Sequence, residues 1–462
     1  MDSKVERFFA SISGKRVTFC GMGISNTPLI HKMLERGALV TVRDRRTREQ
    51  IGGLADEMED AGARLILGAG YLDSIDADIV VRTPGISFTM PEFTAARRAG
   101  IVVTSEMEIF FDLCPANIIG ITGSDGKTTT STLIAKILEA DGKNVYLGGN
   151  IGRPLLPLVD DMTENDYVVA ELSSFQLLSM RKGPDIAVVT NVAPNHLDVH
   201  ASMEEYINAK KNLFIHQNAF SKTVLNARNE ITNGFTDEVR GQAVHFSRGE
   251  ALASGAYLGC DGYIYMAEHD KTVKIMHKTD IMIPGDHNID NYLAAVAAVW
   301  GLVSVDSIVR VAREFGGVEH RIEFIRELGG VRYYNDSIAT SPTRTVAGLN
   351  AFSVPLVLIA GGYDKHIPFS DMAETVCRKV KLMILTGDTA DKIEQTVRQC
   401  SQFDESFTSI LRAQDMEEAV RLAAANAKEG DVVTLSPACA SFDKYKNFEA
   451  RGLHFKELVN AL

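Results

Sequence analysis

The 462-residue chain is poor in cysteine and in long apolar runs, and each shortage removes a class of protein. Its six cysteines (Cys20, Cys114, Cys260, Cys377, Cys400, Cys439) form no C-x-x-C spacing. That pattern speaks against a thiolate metal site or a disulfide framework, and for buried thiols in a reducing compartment. No apolar run approaches the roughly 18 residues of a membrane span. The opening stretch MDSKVERFFASISGK lacks the apolar centre of a secretory signal, so a cytoplasmic location and no membrane partner are expected. Basic residues are outnumbered, 48 against 60 acidic, and the net charge of −12 argues against a nucleic-acid surface. Local basic pockets for small anions remain compatible with it. There is no internal repeat and no low-complexity linker. What is present is an ordinary globular composition, 45% hydrophobic and 23% charged, at a length that calls for two or three domains.

The most informative stretch is NIIGITGSDGKTTTST, residues 117–132. An apolar strand runs into Gly123-Ser124-Asp125-Gly126-Lys127-Thr128-Thr129, and a helical pattern carrying Leu133, Ile134, Ile137 and Leu138 follows. Strand, glycine loop and helix N-terminus form an anion cradle, because glycines admit a phosphate close to the backbone N–H groups and the helix dipole favours its charge. Lys127 supplies a cation for the outer phosphates and the Thr128 hydroxyl suits magnesium. Ile121 stands where the longer phosphate-loop pattern has its first glycine, so this is the shorter G-x-x-G-K-T form. ATP or GTP with magnesium is the expected ligand.

Before the loop, residues 15–112 alternate short strands (RVTFC, ALVTV, ARLILG, DIVVRT, IVVTS) with helical stretches, the rhythm of a parallel sheet with crossover helices. Gly21 and Gly23 give two glycines of a dinucleotide fingerprint, with Asn26 in place of the third, and Asp44 ends the second strand where such folds hold a ribose. Arg45 and Arg46 beside it favour a phosphate-bearing ligand, while a purely structural turn remains open. A second loop, Arg82 to Ile86 with Gly85, is expected at the same sheet edge.

After the loop, polar residues again close apolar strands: Asn150, then Glu171 and Ser173, then Asn191, Asn195, His196 and Asp198. An acid at a strand end near a phosphate loop is a natural magnesium ligand, and Glu171 is the candidate. His196 is compatible with a ligand or an ordinary loop residue, and Lys210 and Lys211 read as a solvated helix face. Residues 220–285 read as a small antiparallel excursion. Asn288 and Asn291 share one face of the next helix, either as caps or as amides facing adenine. From about 319 the α/β alternation resumes, with Asp336, Lys365, Ser436 and Ser441 at its strand ends.

Taken together, GSDGKTT, ELSSFQL, NHLD with YINAK, HNIDN, EHRIE, NDSIATSP, GGYDK and SPACASFD resemble the ATP-dependent Mur ligases of peptidoglycan precursor synthesis, over essentially the whole chain. The resemblance implies an α/β protein of three domains. These are an N-terminal Rossmann-like domain for a UDP substrate (1–112), a central P-loop ATPase-type parallel sheet (113–318) and a C-terminal Rossmann-like domain (319–462) that closes over the site. GGYDK and SPACASFDKYKNFEARG are most similar to the member that adds D-glutamate to UDP-N-acetylmuramoyl-L-alanine through an acyl phosphate.

By position, the resemblance implies that Lys127 and Thr128 hold ATP and one magnesium, and that Glu171, His196 and Lys210 ligate a second. Lys210 would do so as a carbamate, which reverses the solvated reading. Asn150 and Ser173 would touch the muramoyl-alanine end. Asn288 and Asn291 would face adenine, and Arg321 and Asp336 would lie around ribose and phosphates. Thr340, Lys365, Ser441 and Phe448 would form the D-glutamate pocket. Asp44, Arg45, Arg46 and Gly85 would lie near the uridine diphosphate. Ile338 departs from the lysine many members carry, with Arg344 a possible replacement, and Asn195 departs from an aspartate. A monomer is expected. The competing expectations are a family ligase using a different amine, including the folylpolyglutamate type, and a nucleotide-gated binding or phosphoryl-transfer protein.

Overall fold

A computed structural model describes residues 3–23, 25–193 and 202–462. His196, Asn195 and Asp198 lie outside the described residues. The chain divides into two compact units, Met1–Lys278 with Asp290–Val311, and Thr279–Ile289 with Ala312–Leu462.

The first unit holds two sheets. In the five-stranded one, β1 (Arg16–Cys20), β2 (Leu39–Asp44), β3 (Arg64–Leu67), β4 (Ile79–Arg82) and β5 (Val102–Ser105) pair in parallel in the order 3-2-1-4-5. The reversal between β1 and β4 opens a crevice at their carboxyl ends. The loops after β1 and β4 do meet there: a Cβ on Gly21 (φ +94°) would lie 2.4 Å from Thr83 Cγ2. The nine-stranded sheet contains β6 (Asn117–Thr122), β7 (Val145–Gly149), β8 (Tyr167–Glu171), β9 (Ile186–Val189) and β10 (Lys222–Asn226). It continues with β11 (Gln242–Ser247), β12 (Ser254–Leu258), β13 (Tyr263–Glu268) and β14 (Lys271–His277). The order is 14-13-12-11-10-9-6-8-7, so β6 lies between β8 and β9, and the ends of all three converge.

Residues 220–285 correct the expected antiparallel excursion in part. β10 pairs in parallel with β9 and β11, and β11 in parallel with β12; only β12–β13–β14 are antiparallel. The apolar β10 and β11, Thr223 to Leu225 and Val244 with Phe246, extend the buried parallel sheet instead of starting a hairpin.

One apolar core runs through both sheets, joining Phe110, Phe111 and Leu113 to Leu155, Leu156 and Met162. Glu106 is buried beside it and accepts from Leu156 N at 2.8 Å; burial raises its carboxyl to about 7.

The second unit carries β15 (Glu323–Leu328), β16 (Val331–Asn335), β17 (Leu356–Ala360), β18 (Val380–Leu385), β19 (Ser409–Arg412) and β20 (Val432–Leu435), ordered 15-16-20-17-18-19. Only β15–β16 is antiparallel. β17 is buried on both faces, Leu356 and Leu358 packing into one cluster and Val357 and Ile359 into the other, as a doubly wound sheet requires. The strand order places the ends of β16, β20 and β17 side by side.

Candidate active site

The phosphate loop is the tight turn between β6 and the helix Lys127–Ala140, whose N-cap is Gly126 at φ +78°. Glycine is required twice. A Cβ on Gly123 (φ +153°) would lie 1.9 Å from Thr190 Oγ1, and one on Gly126 would lie 2.4 Å from Asn291 Oδ1. Lys127 Nζ reaches back to the carbonyls of Gly123 and Ser124 at 2.9 and 3.0 Å, which keeps its charge over the loop. Asn191 Oδ1 accepts from Asp125 N at 3.0 Å and Thr190 Oγ1 donates to the Asp125 carbonyl at 2.6 Å.

Glu171 ends β8, one strand away. It is 1% exposed, accepts from Asn150 Nδ2 at Oε1 (2.8 Å), and its Oε2 has no hydrogen-bond partner among the described residues. A buried carboxylate oxygen left unpaired is costly unless something cationic occupies it. Ser173 caps the helix Ser174–Leu177, its Oγ accepting from Gln176 N at 3.3 Å.

Lys210 corrects the solvated-face reading. It is 1% exposed, with Nζ donating to the Gly123 carbonyl at 2.8 Å, while Lys211 on the next face is only half-buried and pairs with Glu238. Burial, reinforced by the Lys127 charge, lowers its pKa to about 7. Nζ lies 4.5 Å from the centroid of the Tyr206 ring, and the Tyr206 hydroxyl is hydrogen-bonded to Ser124 Oγ at 3.0 Å. Tyr206 was not singled out from sequence. Its i, i+4 spacing to Lys210 was the available signal.

The helix Asp286–Val299 carries both amides: Asn291 Oδ1 accepts from Thr130 Oγ1 at 3.3 Å, and Asn288 Nδ2 donates to the Pro284 carbonyl at 2.6 Å. At the mouth of the five-stranded sheet, Asp44 accepts from Met22 N (2.8 Å), Arg46 N (2.9 Å) and the Arg46 guanidinium. Burial alone would raise its pKa, but these hydrogen bonds outweigh it and lower the carboxyl to about 2. Arg45 and Gly85 are exposed at the same edge.

The second unit assembles its own cluster at the ends of β16, β17 and β20. Lys365 Nζ donates to the Thr340 carbonyl at 3.3 Å, and the Ser441 carbonyl accepts from Tyr445 N at 2.8 Å. Phe448 begins the helix Phe448–Ala461, where a first-turn N–H has no intrahelical acceptor, and its carbonyl accepts from Ser337 Oγ at 2.8 Å. The buried Arg451 ties these loops together through Ser337, Cys439 and Ala440 carbonyls, a role the sequence did not disclose. Asp336 is buried, accepting from Ser436 Oγ at 2.8 Å; burial raises its carboxyl to about 7, with Arg321 and Arg344 opposing. Arg344 Nη1 donates to the Ile338 carbonyl at 3.4 Å, so a cation does stand beside the position that departs from the family lysine. A surface groove of about 570 Å³ between Arg181, Asn208 and Glu238 contains none of the candidate residues.

A model of the Mur ligase middle domain matches residues 121–299, and one of the Mur ligase glutamate ligase domain matches residues 320–439. A UDP-N-acetylmuramoylalanine--D-glutamate ligase of Acetivibrio thermocellus is 49% identical over 465 residues, covering 100% of both chains. A protein of the same name from Clostridium acetobutylicum is 48% identical with the same coverage. Among solved structures, the UDP-N-acetylmuramate-alanine ligase of Thermotoga maritima aligns over 97% of this chain and 99% of its own, at TM-score 0.56 and 18% identity. A UDP-N-acetylmuramoyl-L-alanyl-D-glutamate--2,6-diaminopimelate ligase aligns over 96% and 92%, at TM-score 0.56 and 17% identity. At these identities the two structures show the fold alone.

Proposed function

The chain belongs to the Mur ligase family, and from that premise we propose that it uses ATP to join D-glutamate to UDP-N-acetylmuramoyl-L-alanine in peptidoglycan precursor synthesis. The observation that carries the reading is a phosphate loop flanked by the buried Glu171 and Lys210, in a chain similar along its whole length to D-glutamate ligases. The same reading makes it a cytoplasmic monomer. It divides the chain into domains at 1–112, 113–318 and 319–462, a division supported by three sheets that fall one within each span.

A carboxylate is a poor electrophile at neutral pH. Its oxygen attacks the γ-phosphorus of ATP, the bond to the β–γ bridging oxygen breaks, and ADP leaves from an acyl phosphate. The amine of D-glutamate then attacks the acyl carbon and phosphate departs with the amine's proton lost to solvent. The first step brings two anions together, so positive charge must be in place beforehand. Lys127 and the loop N–H groups of residues 123–129 hold the phosphates. Asn288 and Asn291 face the adenine, with Arg321 and Asp336 around the ribose and phosphates.

The donor set fits magnesium: Glu171 presents a buried oxygen without a partner among the described residues, and Thr128 lies in the first turn of the helix. Bound there, two magnesium ions would neutralise the phosphates, with Thr128 serving one and Glu171, His196 and Lys210 the other. The lowered pKa of Lys210 supports a carbamate, since its neutral amine can add to carbon dioxide, releasing a proton and leaving an anionic ligand. Asn150 and Ser173 lie at the muramoyl-alanine end, and Asp44, Arg45, Arg46 and Gly85 near the uridine diphosphate. Thr340, Lys365, Ser441 and the Phe448 amide receive the two carboxylates of D-glutamate.

The direct test is product analysis. Incubation with magnesium ATP, UDP-N-acetylmuramoyl-L-alanine and D-glutamate should raise the mass of the UDP precursor by one glutamyl residue. An unchanged precursor alongside ATP turnover would refute the ligase assignment.

A further inference from the structure

The phosphate loop is not held in shape by its own Lys127 bonds alone. It rests on residues 190–193, the backbone that leaves β9 once the ladder to β10 ends at the pair Leu225–Val189. Ser124 N donates to the Asn191 carbonyl at 2.9 Å, and Ser124 Oγ both donates to the Ala193 carbonyl and accepts from Ala193 N, each at 2.9 Å. With the Thr190 and Asn191 bonds to Asp125, this segment fastens the loop at Ser124 and Asp125, while Lys210 and Tyr206 hold Gly123 and Ser124 from the other side.

The segment is in turn fastened from β10. Asn226 Nδ2 donates to the Thr190 carbonyl at 3.0 Å, taking over where the strand ladder stops. Asn229 then pairs with Val192 in both directions: its Oδ1 accepts from Val192 N at 3.2 Å and its Nδ2 donates to the Val192 carbonyl at 3.1 Å. The same Oδ1 accepts from Thr232 N at 3.0 Å as the N-cap of the short helix Glu230–Asn233, which fixes the amide's orientation. Only a side-chain amide offers a donor and an acceptor at the spacing of a peptide group. Neither asparagine bonds to loop residues 123–128.

We propose that Asn226 and Asn229 are positioning residues for nucleotide binding, acting through residues 190–193 to hold the phosphate loop in its ligand-receiving shape. The proposal rests on the nucleotide reading of that loop. A purely structural pair would change how much protein folds; a positioning pair changes the affinity of the protein that has folded.

The test measures binding of magnesium ATP by calorimetry, together with KM for ATP and for D-glutamate. The unsubstituted protein, Asn229→Leu, Asn229→Asp and the exposed Asn233→Ala are compared. Asn229→Leu is expected to weaken ATP binding and raise its KM by about ten-fold, with KM for D-glutamate unchanged. Asn229→Asp keeps both accepting bonds but sets a carboxylate against the Val192 carbonyl, and should fall between. Asn233→Ala should match the unsubstituted protein. Should Asn229→Leu fold poorly, Asn226→Leu carries the same expectation and Asn229→Asp the intermediate one. An Asn229→Leu or Asn226→Leu protein that binds ATP normally, or that loses kcat in proportion to the folded fraction with both KM values unchanged, would overturn the proposal. Failure of the unsubstituted protein to bind ATP would instead sink the nucleotide reading, and this inference with it.

Discussion

Lys210 shows what a single side chain can conceal. Beside Lys211 it reads as part of a solvated helix face, yet it is 1% exposed and donates to the carbonyl of Gly123, 87 positions away in the chain. Sequence periodicity does not encode which strand ends crowd a helix, so only the resemblance pointed to it. Lys210→Ala should be nearly inactive and recover in part with added short carboxylates that replace a carbamate. Normal activity without them would remove the carbamate. Lys127→Ala should abolish turnover, and substantial activity there would refute the role of the loop. Asp44 gives a residue-scale prediction in pH. Its carboxyl is lowered from 3.8 to about 2, so its stabilisation is complete above about pH 4 and is lost as pH falls towards 2. The amount is about 2 kcal/mol. Denaturation of the protein and of Asp44→Asn should therefore differ at neutral pH and converge towards about pH 2. A gap that stays constant would contradict the assigned bonds.

At the scale of elements, the local parts of the chain were the legible ones. Strand, glycine loop and helix at 117–140 could be read directly, because glycine demand, a lysine and apolar spacing are all short-range signals. β10 and β11 read from sequence as part of an antiparallel excursion, because a short apolar strand looks alike in a hairpin and in a parallel sheet, and the partner strand decides. The polar strand ends were legible as a set; which of them meet follows from strand order, which placed Glu171 and Thr190 on either side of the loop after β6. The loop's shape is itself testable. Gly126→Ala forces a left-handed residue at φ +78° and a 2.4 Å approach to Asn291 Oδ1. It should lower kcat/KM for ATP by about 100-fold with the circular dichroism spectrum kept. Unaltered kinetics would show that the loop tolerates a Cβ and is less tightly built than described.

At the scale of the whole molecule, each of the three sheets brings candidate residues to the carboxyl ends of its parallel strands, near the point where the strand order reverses. The sequence rhythm announced the α/β class. It did not announce that the first two sheets share one continuous core through Phe110, Leu113, Leu155 and Met162, because such packing pairs residues distant in sequence. Lys365→Ala should chiefly raise KM for D-glutamate, and an unchanged amine dependence would move that residue out of the pocket. The central claim is tested most directly by phosphate release from magnesium ATP in the presence of UDP-N-acetylmuramoyl-L-alanine, comparing D-glutamate with L-glutamate, L-lysine and L-alanine. The account requires release with D-glutamate alone. Release with a different amine, or equal release with none, would contradict it.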